Sequence, residues 1–334
     1  MDRPNSHIRT LITVAVLILG GLGWIELVQL TLQVTARQAT DTPAVPPSTM
    51  ATAKVISTST AVPSVTSLPT ATPWITATPT ATPTKPPTPT PTMAPSAGPT
   101  PDGVLRTVRV PILMYHHISV PPPDADAIRR DISVSPQNFE AQLRYLRDEG
   151  YTTIHLSDLL YYLAQGQPLP KKPIVLTFDD GYRDNYDNAF FLLHKYDMVG
   201  TFFLITDFID QERADYMTWP QVRVMVRCGM ELGSHSRDHP ELSGRSTDFL
   251  VWQVLGSREM IESRVGITPR FFSYPSGQYD DQTIRVVHSA NFWGGVTTHQ
   301  GTTQRSDRVF ELMRVRIRGS YTVDDLARLL SLDW

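Results

Sequence analysis

The sequence predicts an α/β domain, a distorted (β/α) barrel of about seven to eight mainly parallel strands, preceded by a hydrophobic signal or anchor segment and a disordered Pro/Thr-rich stalk. Three observations predict it. Short apolar runs alternate with amphipathic helical stretches from about Leu105 onward, polar motifs follow several of those runs directly, and the composition changes abruptly before them.

The 334 residues divide by composition into 1–35, 36–103 and 104–334. In the first segment Arg3 and Arg9 precede an uncharged run from Thr10 to Ile25, which resumes after Glu26 from Leu27 to Val34. Read through Glu26, the run is long enough to cross a bilayer, which takes about 20 residues. Val34-Thr35-Ala36 is a mediocre cleavage site, so an uncleaved signal anchor is expected, with a signal peptide as the alternative. The basic side would stay in the cytoplasm and the rest would project outside. Residues 36–103 hold 15 of the 28 prolines, and only Lys54 and Lys85 are charged between Asp41 and Asp102. Such a stretch has too little apolar side chain to offset its ordering entropy, so it reads as a stalk.

Within 104–334, strands are expected at Arg109–Tyr115, Thr152–His155, Ile174–Phe178, Gly200–Ile205, Met230–Ser234, Arg270–Tyr274, Trp293–Thr297 and Glu311–Ile317. The first helix is expected to start at Ser135-Pro136, a cap followed by proline, and to stop at Gly150, with Phe139, Leu143 and Leu146 on one face. Further helices are expected at Ser157–Ala164, Asp187–Tyr196, Thr218–Arg227, Ser246–Val265, Asp281–Ala290 and Val323–Leu330. In a parallel barrel, chemistry collects at the carboxyl ends of the strands. The net charge of −3 gives no electrostatic footprint for nucleic acid. The single cysteine, Cys228, excludes an intramolecular disulfide and is expected to pack within an apolar helix.

Four motifs carry candidate chemistry. Thr177-Phe178-Asp179-Asp180-Gly181 follows an apolar run, and adjacent carboxylates are costly together unless a cation takes one of them. His235-Ser236-Arg237-Asp238-His239 spaces two histidines at i and i+4, which on a helical turn would face one ion. With a strand-end aspartate they make a three-ligand set that leaves a position for water. Tyr274-Pro275-Ser276-Gly277 is a turn whose backbone N–H groups could hold an oxyanion. Met114-Tyr115-His116-His117 ends the first strand and offers a proton donor. Tyr182, Tyr279 and Trp219 are either sugar-stacking rings or packing residues.

In this order the motifs resemble the polysaccharide deacetylases that share the NodB homology domain, carbohydrate esterase family 4, over nearly all of Arg109–Ile317. The Thr201-Phe202-Phe203 strand adds to the resemblance. It implies Asp180, His235 and His239 as ligands of a divalent metal, most often zinc, and Asp179 as the base. Thr298-His299-Gln300 lacks the apolar context of the family's late histidine motif, whereas the early Tyr115-His116 resembles the circularly permuted branch that includes deacetylases of poly-N-acetylglucosamine. The acid is therefore assigned to His116, with His117 as a substitute. Ser276 stands where the family commonly has tyrosine, which keeps a backbone N–H and loses an aromatic, and Arg314 is the candidate to orient Asp179.

The implied activity is metal-dependent removal of N-acetyl groups from a GlcNAc-containing extracellular or cell-wall polysaccharide, with release of acetate. The alternatives are an O-acetyl esterase, another amidohydrolase on the same metal site, or a catalytically silent carbohydrate-binding module. The expected partners are an acetylated polysaccharide and, through the N-terminal segment, a membrane; the catalytic domain is read as a monomer at the cell surface.

Overall fold

The computed structural model describes residues Gly98–Leu332; the expected anchor and nearly all of the expected stalk lie outside the described residues. Residues 98–103 already touch the domain, for the Asp102 N–H donates to the Ala164 carbonyl at 3.0 Å. The strands are β1 (Thr107–Arg109), β2 (Ile112–Tyr115), β3 (Thr152–Thr153), β4 (Pro173–Phe178), β5 (Thr201–Leu204), β6 (Glu231–Ser234), β7 (Phe271–Ser273), β8 (Gly294–Gln300), β9 (Thr303–Arg305) and β10 (Leu312–Arg316). Seven of them close a parallel ring in the order β2-β10-β8-β7-β6-β5-β4, and β4 returns to β2 through the pairs Ile112–Val175 to Tyr115–Phe178. β3 is appended outside the ring on β4.

The expected strand Arg109–Tyr115 is two strands. Pro111 has no N–H to continue a ladder, so β1 pairs antiparallel with β9 and only Ile112–Tyr115 enters the barrel. The β1–β9 ribbon was not visible as a periodic pattern, since three-residue strands leave none. Helices α1 (Ala127–Asp131), α2 (Pro136–Asp148), α3 (Leu156–Gln165), α4 (Phe191–Lys195), α5 (Thr206–Asp210), α6 (Trp219–Arg227), α7 (Thr247–Val265), α8 (Asp281–Ser289) and α9 (Val323–Ser331) surround the ring. Their starts follow the capping chemistry: Ser135 Oγ accepts from the Asn138 N–H at 3.2 Å, and Ser246 and Asp280 act likewise on Phe249 and Thr283. The expected helix Asp187–Tyr196 is composite, a π-turn over Asn185–Phe190 leading into α4. Cys228 lies just past α6 and is exposed, because the apolar face of α6 buries Trp219, Val222 and Met225 instead.

Strand alternation places the site. On β4, Ile174, Leu176 and Phe178 join the apolar cluster under the helices, whereas Val175 belongs to a second cluster with Ile112, Phe203, Phe271, Val296 and Leu312. One residue from each of six ring strands thus forms an apolar floor inside the barrel. Two residues further along the same faces come Thr177, Ser273 and Arg314, and beyond them Asp179 and His235. The polar residues therefore occupy the carboxyl mouth by the period of two.

Gly233 in β6 shows how tightly the floor is packed. A Cβ there would meet the Phe203 ring and would lie 2.9 Å from the Phe271 carbonyl oxygen. Gly233→Ala should cost about 1–3 kcal/mol through overpacking, and thermal unfolding should show Tm lower by several degrees.

Candidate active site

Arg314 is fully buried and has an acceptor for each of its five N–H groups. It grips both Asp179 oxygens, Nη1 to Oδ1 at 2.8 Å and Nη2 to Oδ2 at 2.7 Å. Its remaining hydrogens go to Thr177 Oγ1 at 3.2 Å, Ser273 Oγ at 3.1 Å and the Thr297 carbonyl at 2.8 Å. Ser273 Oγ also donates to Asp179 Oδ2 at 3.3 Å. Burial pushes the Asp179 carboxyl up, but the charge of Arg314 overrides it and holds Asp179 below its ordinary value. Asp179 is thereby a fixed, ionised carboxylate.

The next residue faces a different set. Asp180 adopts φ 75°, a left-handed conformation that ordinary residues avoid, and this turns its carboxyl to the two histidines. Asp180 Oδ1 lies 3.3 Å from His235 Nε2 and 3.6 Å from His239 Nε2. One ligand atom from each residue lies within 4.8 Å of the others. His235 Nδ1 donates to the Ser273 carbonyl at 2.8 Å, which leaves Nε2 of the neutral ring as a lone-pair donor. Two imidazole lone pairs facing a carboxylate oxygen repel unless a proton or a cation stands between them. The set therefore fits a divalent cation, which would have three protein ligands and room for water. Burial opposes ionisation of His235, but its bond to Asp180 outweighs that and raises it; burial and then the neighbouring His235 charge take His239 down to about 4.

The histidine pair does not lie on a helical turn. Residues 235–239 form an irregular loop in which Ser236 and His239 have φ of 65° and 63°. Hydrogen bonding holds this loop: Ser236 Oγ accepts from the His239 N–H at 3.0 Å, and Gln253 Oε1 accepts from the Arg237 N–H at 3.1 Å. The Arg237 guanidinium pairs with Asp207 at 3.0 Å and stacks 3.9 Å from the Trp252 ring. It crosses α7 over Gly256, where a Cβ would come within 3.1 Å of Arg237 Cδ. The motif's spacing gave no hint of this clamp, because its partners come from α5 and α7.

His116 and His117 separate clearly. His117 Nδ1 pairs with Asp184 Oδ2 at 2.8 Å, and its ring stacks on Tyr182 at 3.4 Å. His116 instead feels both Asp180 and Asp179, and its Nδ1 is buried without a hydrogen-bond partner. Burial lowers its pKa, while the two carboxylates pull the other way. Ser276 follows the carboxyl end of β7, exposed, with φ 54° in the short turn Pro275–Gly277. The candidate stacking rings are engaged elsewhere: Tyr182 on His117, Tyr279 on Tyr274 at 4.4 Å, and Trp219 buried with its indole N–H on Asp210. His299 lies along β8, its ring 6.0 Å from Tyr279.

Residues 166–294 match the family model described as polysaccharide deacetylase. The Bacillus subtilis (strain 168) protein YxkH, which bears the polysaccharide deacetylase name, is 32% identical over 212 residues, spanning 64% of this chain and 72% of that protein. The chain belongs to the polysaccharide deacetylase family. It is accordingly a carbohydrate deacetylase, a hydrolase. The chain is also similar to the poly-beta-1,6-N-acetyl-D-glucosamine N-deacetylase of Staphylococcus aureus (strain MRSA252), at 24% identity over 200 residues, 56% of this chain and 69% of that one. Among solved structures it resembles the Streptococcus pyogenes deacetylase PplD in complex with acetate, with TM-score 0.62, 29% identity and coverage of 68% of this chain and all (100%) of the other. Asp179, Asp180, His235, His239 and Ser276 lie inside the family-model match, whereas His116 and Arg314 lie outside it.

Removing the guanidinium alone would leave Asp179 buried and unpaired. Arg314→Met should cost about 3–5 kcal/mol, and adding Asp179→Leu should recover most of that loss. Urea denaturation midpoints of the single and double variants measure it.

Proposed function

We propose that this deacetylase removes N-acetyl groups from a GlcNAc-containing extracellular or cell-wall polysaccharide, using a divalent metal, zinc by preference. The observation that carries the reading is the convergence of Asp180, His235 and His239 beside a separately anchored Asp179. A binding module has no use for a second, arginine-clamped carboxylate next to a ligand set. The placement outside a membrane is supported by the basic, apolar N-terminus and the Pro/Thr-rich segment that follows it.

Asp180, His235 and His239 would hold the ion, which when bound acidifies water and polarises the acetamide carbonyl. Asp179 accepts the water's proton; Arg314 keeps it ionised and aimed, and occupies both of its oxygens so that it cannot drift onto the ligand set. A backbone N–H at Ser276 would stabilise the developing oxyanion. His116 delivers a proton to the amine nitrogen as the C–N bond breaks, giving acetate and a free amine. Burial, only partly opposed by the two carboxylates, lowers the His116 pKa, so the ring gives up its proton readily once it carries one. Asp184 holds His117 away from this role.

Acetate release should be measured on chitooligosaccharide, poly-β-1,6-GlcNAc, peptidoglycan and acetylated xylan. Release is expected from the GlcNAc polymers, lost on chelation and restored by Zn²⁺, with Asp180→Ala and His235→Ala inactive. Full activity after chelation would overturn the metal mechanism, and release from xylan alone would make the enzyme an O-acetyl esterase. His116→Ala should lower N-acetyl hydrolysis by about 10²–10⁴-fold, read in the same acetate assay.

A further inference from the structure

An acid imidazole is ordinarily aimed by a hydrogen bond at its second nitrogen. His116 has no such bond at Nδ1, which is buried and unpartnered. Its orientation must come from its backbone and its neighbours, and those contacts converge on one segment. The Asn185 amide donates to the His116 carbonyl at 2.7 Å and to Asp184 Oδ1 at 3.1 Å. Asp184 also accepts from the Ile118 N–H at 3.2 Å, from Ser119 Oγ at 2.7 Å and from His117 Nδ1 at 2.8 Å. On the far side, the His117 N–H donates to the Ile132 carbonyl and the Val134 N–H to the His117 carbonyl, both at 3.0 Å.

The same ring reaches the other half of the site. His117 stacks at 3.4 Å, nearly parallel at 19°, on Tyr182, which follows Gly181 in the strand-end turn that carries Asp180. Asp184 and Asn185 stand where the π-turn begins, just after the Asp179–Gly181 strand end. A π-turn is a departure from α geometry that recurs at functional sites. Here it delivers two adjacent side chains, Asp184 and Asn185, to the 116–119 strand end.

We propose that His117 and Asp184 form a positioning pair that aims the His116 imidazole at the leaving nitrogen. This rests on the reading of His116 as the acid. His117 touches no reacting atom; it acts by fixing the residue before it. Because amide cleavage needs a proton on the leaving amine while a phenolate leaves without one, the two substrate types separate aiming of the acid from general damage.

His117→Phe keeps the stacked ring and removes the hydrogen bond to Asp184. On a GlcNAc oligomer it should lower kcat about 10- to 100-fold with KM nearly unchanged, while 4-nitrophenyl acetate hydrolysis stays within about threefold of wild type. Asp184→Asn should show the same selective loss, smaller in size, because an amide oxygen in the place of Oδ1 still accepts from the Ile118 N–H. Ser119→Ala, which removes one donor to Asp184, serves as the mildest step of the series if the others fold poorly. Equal losses on both substrates, or no loss on the amide, would overturn the proposal. A wild-type enzyme that cleaves the aryl ester but no N-acetyl sugar would instead refute the functional reading on which it rests.

Discussion

The buried ion pair between Arg314 and Asp179 is the constraint around which the site is arranged. Removing both charges from water is expensive, and the cost is met only because every guanidinium N–H finds an acceptor. Those acceptors lie on or just beyond β4, β7 and β8, so one side chain on β10 ties four strands together at the mouth. The pair also divides labour between two adjacent carboxylates. Asp179 is committed to Arg314 and Asp180 to the histidines, so two acids that would repel in isolation remain ionised side by side.

That division demands backbone that ordinary residues resist. Four of the seven positive-φ residues other than glycine among the described residues, Asp180, Ser236, His239 and Ser276, stand at the barrel mouth. Each such conformation costs of order 1–3 kcal/mol and persists only where surrounding contacts over-determine it. Those contacts are visible: His235 and His239 on Asp180, Ser236 Oγ under the His239 N–H, and Arg237 clamped between Asp207 and Trp252. The apolar floor beneath gives them a rigid base, since the strands carrying them are packed on both faces. Strain at the rim and close packing below it are two parts of one arrangement.

The same arrangement explains why two consecutive histidines differ so completely. Pleating sends His116 towards the barrel mouth and His117 towards the π-turn. The inward residue meets the carboxylates; the outward one meets Asp184, Tyr182 and Arg129's neighbourhood. Their chemistry is identical in isolation, and only the direction of the strand assigns them.

The sequence by itself determined the alternation of strands and helices, most helix starts and the motifs that hold the candidate site residues. These are local matters: period-two and helical apolar patterns, capping side chains, and motifs that directly follow apolar runs. It also offered Arg314 as the residue to orient Asp179, though only through the family resemblance, because the two lie 135 positions apart and no spacing rule reaches so far. Tertiary structure decided what depends on distant partners. It split the first strand at Pro111, exposed Cys228, and bent the His235–His239 spacing into an irregular loop rather than a helical turn. It gave Asp179 and Asp180 different partners and paired His117 with Asp184. Closure of the ring is the physical reason: only when β2 meets β4 and β10 do side chains from opposite ends of the domain share one buried, low-dielectric mouth.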